Sequence, residues 1–462
     1  MLRGLRAQQL GKTRVPVFLS TTRILSTSAK LLSNQSKVTA DVTPAVSEKA
    51  NIAYTPFKDF SDDLRQFFLM RFLQFPNLAK KFADLSVALI DRGGLIKQAT
   101  EAMISPLTKT FSAGATASAA VNKAQQVLSK GGPQLALDYA KEMVFKPEER
   151  ESVYHETTKL LDEISKTSLL YVPIKLTAFF SPESLEKLSR NEILSEEEEK
   201  QMAIERLRLF QVVEKASQCG KIIFVDQEYP TQKKAIFQIS QRLMQHFNTH
   251  RPVVYTTIQA TDLECADLVK QLVTDSSIKF PGIKLVNGAY VNWAHRNHCG
   301  DMMQSSKMAS FVAYVTIAKY CLRNKISLYM GTHNIVLEKL IDKTAQLFNV
   351  PKEKYVKGQL FGFATKNPQT AYSIFGPGSD CVAYALRRVI EGAGSHTAAS
   401  SPVMNDEAIS AMMKRLDLGE VLSEEDIDLI AKAARFNVQD ARVDIARENV
   451  RAHFKSGRSN LM

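Results

Sequence analysis

The chain has 462 residues, 45% hydrophobic and 23% charged, which is enough to build one barrel-sized domain with extensions or two or three smaller domains. Its five cysteines (Cys219, Cys265, Cys299, Cys321 and Cys381) are odd in number and contain no CxxC pair, which argues against a disulfide framework or a zinc site. The net charge of +12 does not mark a nucleic-acid binder. Seven Lys and Arg fall in residues 1–37, where there is no acid, and the other 53 basic residues face 48 acidic ones without a basic stripe interleaved with aromatics.

In chain order, "MLRGLRAQQLGKTRVPVFLSTTRILSTSAKLL" is rich in Arg, Ser and Thr and free of acid, as a mitochondrial presequence is. A disordered basic tail is the alternative. The expectation is a presequence over 1–37, cleaved before Asp41, and later apolar runs are too short or too interrupted by charge to span a bilayer. Residues 38–130 read as a linker and an N-terminal helical region, with helices from Phe60 onward. "FFLMRFLQF" (Phe67–Phe75) admits contact with a membrane surface, but a helix packed on its own domain is the expected outcome.

From about Leu135 the texture changes. Eight short apolar, often β-branched runs follow: "LALDYA", "VPIKLTA", "KIIFVDQE", "PVVYTTIQA", "GIKLVNGAY", "ISLYMGTHN", "YVKGQLFGF" and "TAYSIFGPG". Helical stretches separate most of them. Ser181-Pro182 reads as a cap with proline in the first turn, and Ser195 with Glu198 as a capping box. The alternation predicts a (β/α)8 barrel over residues 131–394. Polar residues recur at the C-terminal ends of these strands, where that fold carries its chemistry: Asp226, Glu228, Gln259, Tyr290, His333 and Asn334. Residues 395–462 read as a polar linker and a C-terminal helical extension, with Ser423 and Asp426 as a cap and no legible chemistry.

The chain has no GxGxxG, Walker loop, HExxH or GxSxG. His295 and His298 have no neighbouring carboxylate to complete a metal set, so no metal is expected. What remains is a set of cations at the barrel mouth: Lys175 and Lys284 inside strands, and the adjacent Arg387 and Arg388, which share a helix face with Tyr384 and Glu391. A strand lysine is costly to bury unpaired. Lys175 has a structural alternative in pairing with Asp226 or Glu228. For the two arginines alone a solvated helix face serves equally well, but Tyr372 at the end of the last strand tips the reading to a site. Arginine suits a small carboxylate because its fork binds both oxygens. Lys284 beside "NGAY" suits an anionic reduced flavin.

"IKLVNGAY", "GTHN", "KGQLFGF" and "Y…GP…Y..RR..E", with "PIKLTA", "FVDQE" and "TIQA" before them, resemble successive strand-end motifs of the mitochondrial proline dehydrogenase family, in order from Phe111 to Gly394. The resemblance implies a distorted (β/α)8 barrel that binds FAD without a Rossmann domain. It implies that Arg387, Arg388 and Lys175 hold the proline carboxylate while Asp226, Tyr290, Leu360, Tyr372 and Tyr384 line the ring pocket. Gln259, Lys284, Gly288, Ala289, Lys307, His333, Asn334 and Glu391 would surround FAD. The implied reaction is oxidation of L-proline to Δ1-pyrroline-5-carboxylate by hydride transfer to the flavin. A membrane quinone would accept the electrons, on the matrix side of the inner membrane.

The chain departs from the family's usual pattern in several places. Asn287 stands for Arg in "LVRGAY", no acid occurs from Val291 to His295, and Ile374 and Gly392 replace a proline and an asparagine. Two other readings therefore stay open: a hydroxyproline dehydrogenase, and a catalytically weakened paralogue acting as a matrix binding or regulatory protein.

Overall fold

Apolar runs of β-branched residues become strands where the sequence places them. The computed structural model describes residues 60–288, 290–304, 306–363, 368–394, 423–435 and 438–457, all within the unit Asn51–Met462. The expected presequence, the linker up to residue 58 and the linker after Gly394 lie outside the described residues. Helices α1 (Phe60–Leu73), α2 (Pro76–Asp91) and α3 (Gly94–Phe111) lead into a short strand β1 (Ser112–Gly114) that the sequence pattern had not marked, then α4 (Ala117–Ser129).

The barrel strands are β2 (Gln134–Tyr139), β3 (Tyr171–Lys175), β4 (Ile222–Asp226), β5 (Val254–Gln259), β6 (Gly282–Val286), β7 (Ser327–Gly331), β8 (Tyr355–Leu360) and β9 (Thr370–Phe375). Between them run α5 (Pro147–Ser165), α6 (Leu176–Phe179), α7 (Pro182–Ser189), α8 (Glu196–Gln218), α9 (Lys233–Phe247), α10 (Cys265–Thr274), α11 (Val291–Arg296), α12 (Lys307–Arg323) and α13 (Ile335–Leu347). After β9 come α14 (Gly378–Gly394), α15 (Glu424–Arg435) and α16 (Val438–Gly457). The caps form as the sequence indicates. Ser181 accepts from Ser184 N, Ser195 and Glu198 close a capping box, and Ser423 and Asp426 exchange backbone-to-side-chain bonds.

All eight barrel strands are parallel, and the hydrogen-bonded ladder runs β3–β4–β5–β6–β7–β8–β9, with β2 and β1 both pairing β9. This is the (β/α)8 barrel the alternation predicts, distorted as the resemblance implies, with its ladder open between β2 and β3. That seam is bridged instead by the Lys175–Asp138 ion pair and, just beyond the strands, by Val144 N donating to Thr177 O at 2.9 Å.

Period-2 alternation sends one set of side chains into the barrel. Its lower layer is aromatic: Phe224 meets Tyr171 at 5.1 Å and Tyr329 at 4.5 Å between ring centroids, with Ala136 and Tyr255 completing the cluster. Gly358 makes this possible, because a Cβ there would lie 1.8 Å from Tyr329 Oη. Towards the C-terminal ends of β2, β3, β4 and β6 the inward face turns ionic, with Asp138, Lys175, Asp226 and Lys284.

In "FFLMRFLQF", Leu69, Met70 and Leu73 are buried against Val443 and Ala446 of α16, while Phe68 and Phe75 are exposed. The segment packs on its own domain through one face. Helix α12 is buried almost all round because α15 covers its outer side, tied by Lys319 to Asp426 at 2.8 Å. Among the described residues no helix is long and apolar enough to cross a membrane, and all five cysteines are free thiols.

Candidate active site

A cavity of about 370 Å³ opens at the C-terminal ends of the strands, within the range of small-molecule sites. Lys175, Asp226, Tyr290, Leu360, Tyr372, Tyr384, Arg387 and Arg388 all line it, as do Gln259, Lys284, Gly288, Lys307, His333, Asn334 and Glu391. Ala289 lies outside the described residues. Strand ends supply most of these side chains, and α14 adds Tyr384, Arg387, Arg388 and Glu391 from one face, as their spacing requires.

The charges are paired across the barrel. Lys175 is bound to Asp138, not to Asp226 or Glu228, and this corrects the pairing considered from sequence. Lys175 and Asp226 are level in the β3–β4 register, but Asp226 turns to Lys284 Nζ at 2.5 Å and accepts from Tyr372 Oη at 2.9 Å. Across the β2–β3 seam Asp138 is therefore the acid left for Lys175. Burial pushes the Asp138 carboxyl up to about 6, against the pull of the Lys175 charge. Burial works to lower the Lys175 ammonium, but the Asp138 and Glu142 carboxylates outweigh it and hold it above its ordinary value.

Glu228 shows the opposite balance. Its carboxyl accepts from Thr177 N at 3.1 Å and Thr177 Oγ1 at 2.5 Å, no cation among the described residues is bound to it, and burial pushes it up to about 8. His333 is held well below its usual value, first by burial and then by the charges of Arg442 and Arg388. It is therefore neutral. Its Nε2 accepts from Leu360 N at 3.0 Å, which leaves the proton on Nδ1.

Both arginines of α14 already hold carboxylates. Arg387 grips Glu142 through both oxygens, with Nη2 to Oε2 at 2.7 Å, and Arg388 meets Glu391 at 2.7 Å. The Arg388 guanidinium lies 4.9 Å from the Tyr384 ring centroid, and Tyr384 runs nearly parallel to Tyr372 at 6.5 Å and 9°. Asn334 lines the cavity, but its amide caps α13 through Val336 N and Leu337 N and donates to Ala433 O of α15 at 2.8 Å. Gly288 has φ +135°, and a Cβ there would lie 1.9 Å from Thr261 Oγ1, so only glycine lets the backbone reach this point of the cavity wall.

Among the residues that escaped the sequence reading are three charged ones, Asp138, Glu142 and Arg442. Asp138 carried a signal, an acid inside the apolar run "LALDYA", of the same kind that drew notice to Lys175. Glu142 follows β2 in a loop without any local mark. Arg442 belongs to α16, where one arginine among several on a polar helix gives no indication of where it points.

The arrangement can grip a small carboxylate beside two tyrosines and hold a larger ligand along the strand ends. A family model described as proline dehydrogenase matches residues 121–401. Over 219 residues the chain is 26% identical to proline dehydrogenase 1, mitochondrial, of Bos taurus, covering 43% of this chain and 36% of that protein. Among solved structures, proline utilization A from Bdellovibrio bacteriovorus, inactivated by N-propargylglycine, superimposes with a TM-score of 0.57 at 17% identity, covering 87% of this chain and 44% of that one. Proline utilization A from Bradyrhizobium japonicum does so with a TM-score of 0.50 at 16% identity, covering 80% and 43%. The chain spans less than half the length of each of these relatives, and the structural likenesses speak for the fold. With the family model matching more than half of its residues, the chain belongs to the proline dehydrogenase family.

Proposed function

We propose that the chain is an FAD-dependent proline dehydrogenase. In this reading it converts L-proline to Δ1-pyrroline-5-carboxylate and passes the electrons to a membrane quinone, in the mitochondrion on the matrix side. The catalytic unit is the barrel of residues 131–394. The observation that carries the proposal is the meeting of Arg387, Arg388 and Lys175 with Tyr372 and Tyr384 in one cavity of a chain from this family.

The residues fit a flavin dinucleotide. Asn287 Oδ1 and Gln359 Oε1 are buried at the cavity without a hydrogen-bond partner, and they match the donors of a flavin ring and its ribityl chain. Gln259, Lys284, Gly288, Ala289, Lys307, His333, Asn334 and Glu391 would hold the cofactor. When bound, the flavin supplies the two-electron acceptor.

The chain's own residues bind and orient the substrate. The guanidinium forks and the Lys175 ammonium take the carboxylate, which must share or displace Glu142 and Glu391. Tyr372 and Tyr384 cover the ring and exclude water. The Tyr372 hydroxyl is pinned to Asp226 and crowds a 4-hydroxyl on a ring packed against it, which favours proline over hydroxyproline.

The test is the visible spectrum of the purified protein before and after anaerobic L-proline. A flavin spectrum that bleaches supports the proposal. A flavin indifferent to proline but bleached by hydroxyproline moves the substrate. A folded protein that takes up no FAD overturns the enzyme reading.

A further inference from the structure

Residues beyond the family match reach the same cavity. Arg442 of α16 lies outside residues 121–401, yet it lines the cavity wall and is only 9% exposed. Its guanidinium stacks over the Phe363 ring at 4.1 Å. Its Nε is buried without a hydrogen-bond partner, and no carboxylate among the described residues pairs with it. Burial alone pushes its pKa down to about 9. Four other cavity cations each have an acid: Lys175 has Asp138, Lys284 has Asp226, Arg387 has Glu142 and Arg388 has Glu391.

A buried, unpaired guanidinium is costly, and packing alone gives no reason to keep one where an apolar residue would serve. The fold nevertheless holds it in place. Its neighbour Val443 and the next-turn Ala446 are buried in the core with Leu69 and Met70, and α15 is tied to the barrel through Asn334 and Lys319. Lys307, at the start of α12, is the second cavity cation without a carboxylate partner among the described residues, and burial lowers its pKa as well. Among the described residues the cavity thus carries two positive charges without a paired acid, and they belong to elements away from the paired cations of β3, β6 and α14. A diphosphate brings two negative charges.

We propose that Arg442 is a cofactor-binding residue supplied by the C-terminal extension, its guanidinium bound to the diphosphate of the flavin dinucleotide. The proposal rests on the reading that this chain binds FAD. It makes α15 and α16 part of the cofactor site rather than an appendage.

The experiment measures FAD and riboflavin binding to the apo form of the full chain by flavin fluorescence, for wild type, Arg442→Gln and Arg442→Lys. Thermal melts of the apo proteins confirm that each variant folds. Loss of one charged hydrogen-bond donor weakens FAD by about ten- to hundredfold in Arg442→Gln. Riboflavin, which has no phosphate, is unaffected, and Arg442→Lys recovers part of the loss. Unchanged FAD affinity overturns the proposal, and so does an equal loss for riboflavin, which would put Arg442 at the ring. Unchanged flavin binding with a weakened proline-analogue affinity would overturn it in favour of the substrate carboxylate. A wild-type chain that folds but binds neither flavin sinks the FAD reading itself. If Arg442→Gln does not fold, Arg442→Lys decides alone: its FAD affinity must fall by several-fold while riboflavin affinity holds.

Discussion

Arg387 on α14 holds both carboxylate oxygens of Glu142, which lies just beyond β2 and 245 residues earlier in the chain. The fork proposed to grip a substrate carboxylate is thus shaped by a carboxylate already. Beside it Arg388 is paired with Glu391 and laid against Tyr384, so both guanidiniums are held in fixed planes before any ligand arrives. That is the preorganisation bidentate recognition needs.

Arg388→Ala should raise the proline KM far more than it lowers kcat. Truncating one member of a buried charge pair costs about 2–5 kcal/mol, roughly thirty- to several-thousand-fold in affinity. Steady-state kinetics on the purified variant decides it, and an unchanged KM would remove Arg388 from the clamp.

Asp226→Asn should destabilise the barrel. It would leave Lys284, whose side chain is 7% exposed, without its carboxylate partner. Breaking such a pair costs about 3–5 kcal/mol, and a second change, Lys284→Met, should restore part of it. Urea unfolding of the single and double variants measures both steps. Equal stability of wild type and Asp226→Asn would show that the pair contributes nothing.

Glu228 makes stability fall as the pH rises. Burial raises its folded pKa from 4.5 to about 8, so the folded protein keeps a proton that the unfolded chain has lost. Stability therefore declines across that window, by at most about 1.4 kcal/mol per pH unit, and this contribution levels off above the folded value. Asp138 adds a fall of the same sign between 3.8 and about 6. Unfolding free energies of wild type and Glu228→Gln at pH 6.5 and 8 test this. The drop should shrink in Glu228→Gln, and an identical drop would mean that the carboxyl is ionised throughout.

Tyr372→Ser should narrow the preference for proline over 4-hydroxyproline. The change removes the ring that Asp226 holds by its hydroxyl at 2.9 Å and opens space against the substrate ring. The readout is the ratio of kcat/KM for the two substrates. A ratio that stays constant would show that another residue sets the choice.

Asn334→Ala should loosen the C-terminal helices. It removes the α13 cap, worth about 1 kcal/mol, together with the hydrogen bond to Ala433 O that ties α15 to β7. Limited proteolysis after Gly394 should become faster. Because α16 follows α15, FAD affinity should fall with it. An unchanged cleavage rate would show that Lys319–Asp426 and the apolar packing hold the extension by themselves.

The sequence by itself determined the elements and most of the cavity wall. "GIKLVNGAY" and its seven companions form strands because β-branched and apolar residues suit a pleated, buried surface. Ser181, Ser195 and Ser423 cap helices because a hydroxyl satisfies backbone donors within one turn. These rules act over two to four residues, so a single chain displays them. The same locality puts Tyr384, Arg387, Arg388 and Glu391 on one face of α14.

Which charge meets which was decided only by the tertiary structure. Lys175 pairs with Asp138 because the β2–β3 seam closes without a ladder while the β4–β6 side keeps Asp226 for Lys284 and Tyr372. Arg387 finds Glu142 because the barrel brings the end of β2 beside α14. Arg442 reaches the cavity because the apolar face of α16 docks on α1, and a helix's apolar pattern tells which side it buries but not against what. Long-range pairing depends on register, closure and docking, which sum contributions from residues hundreds of positions apart.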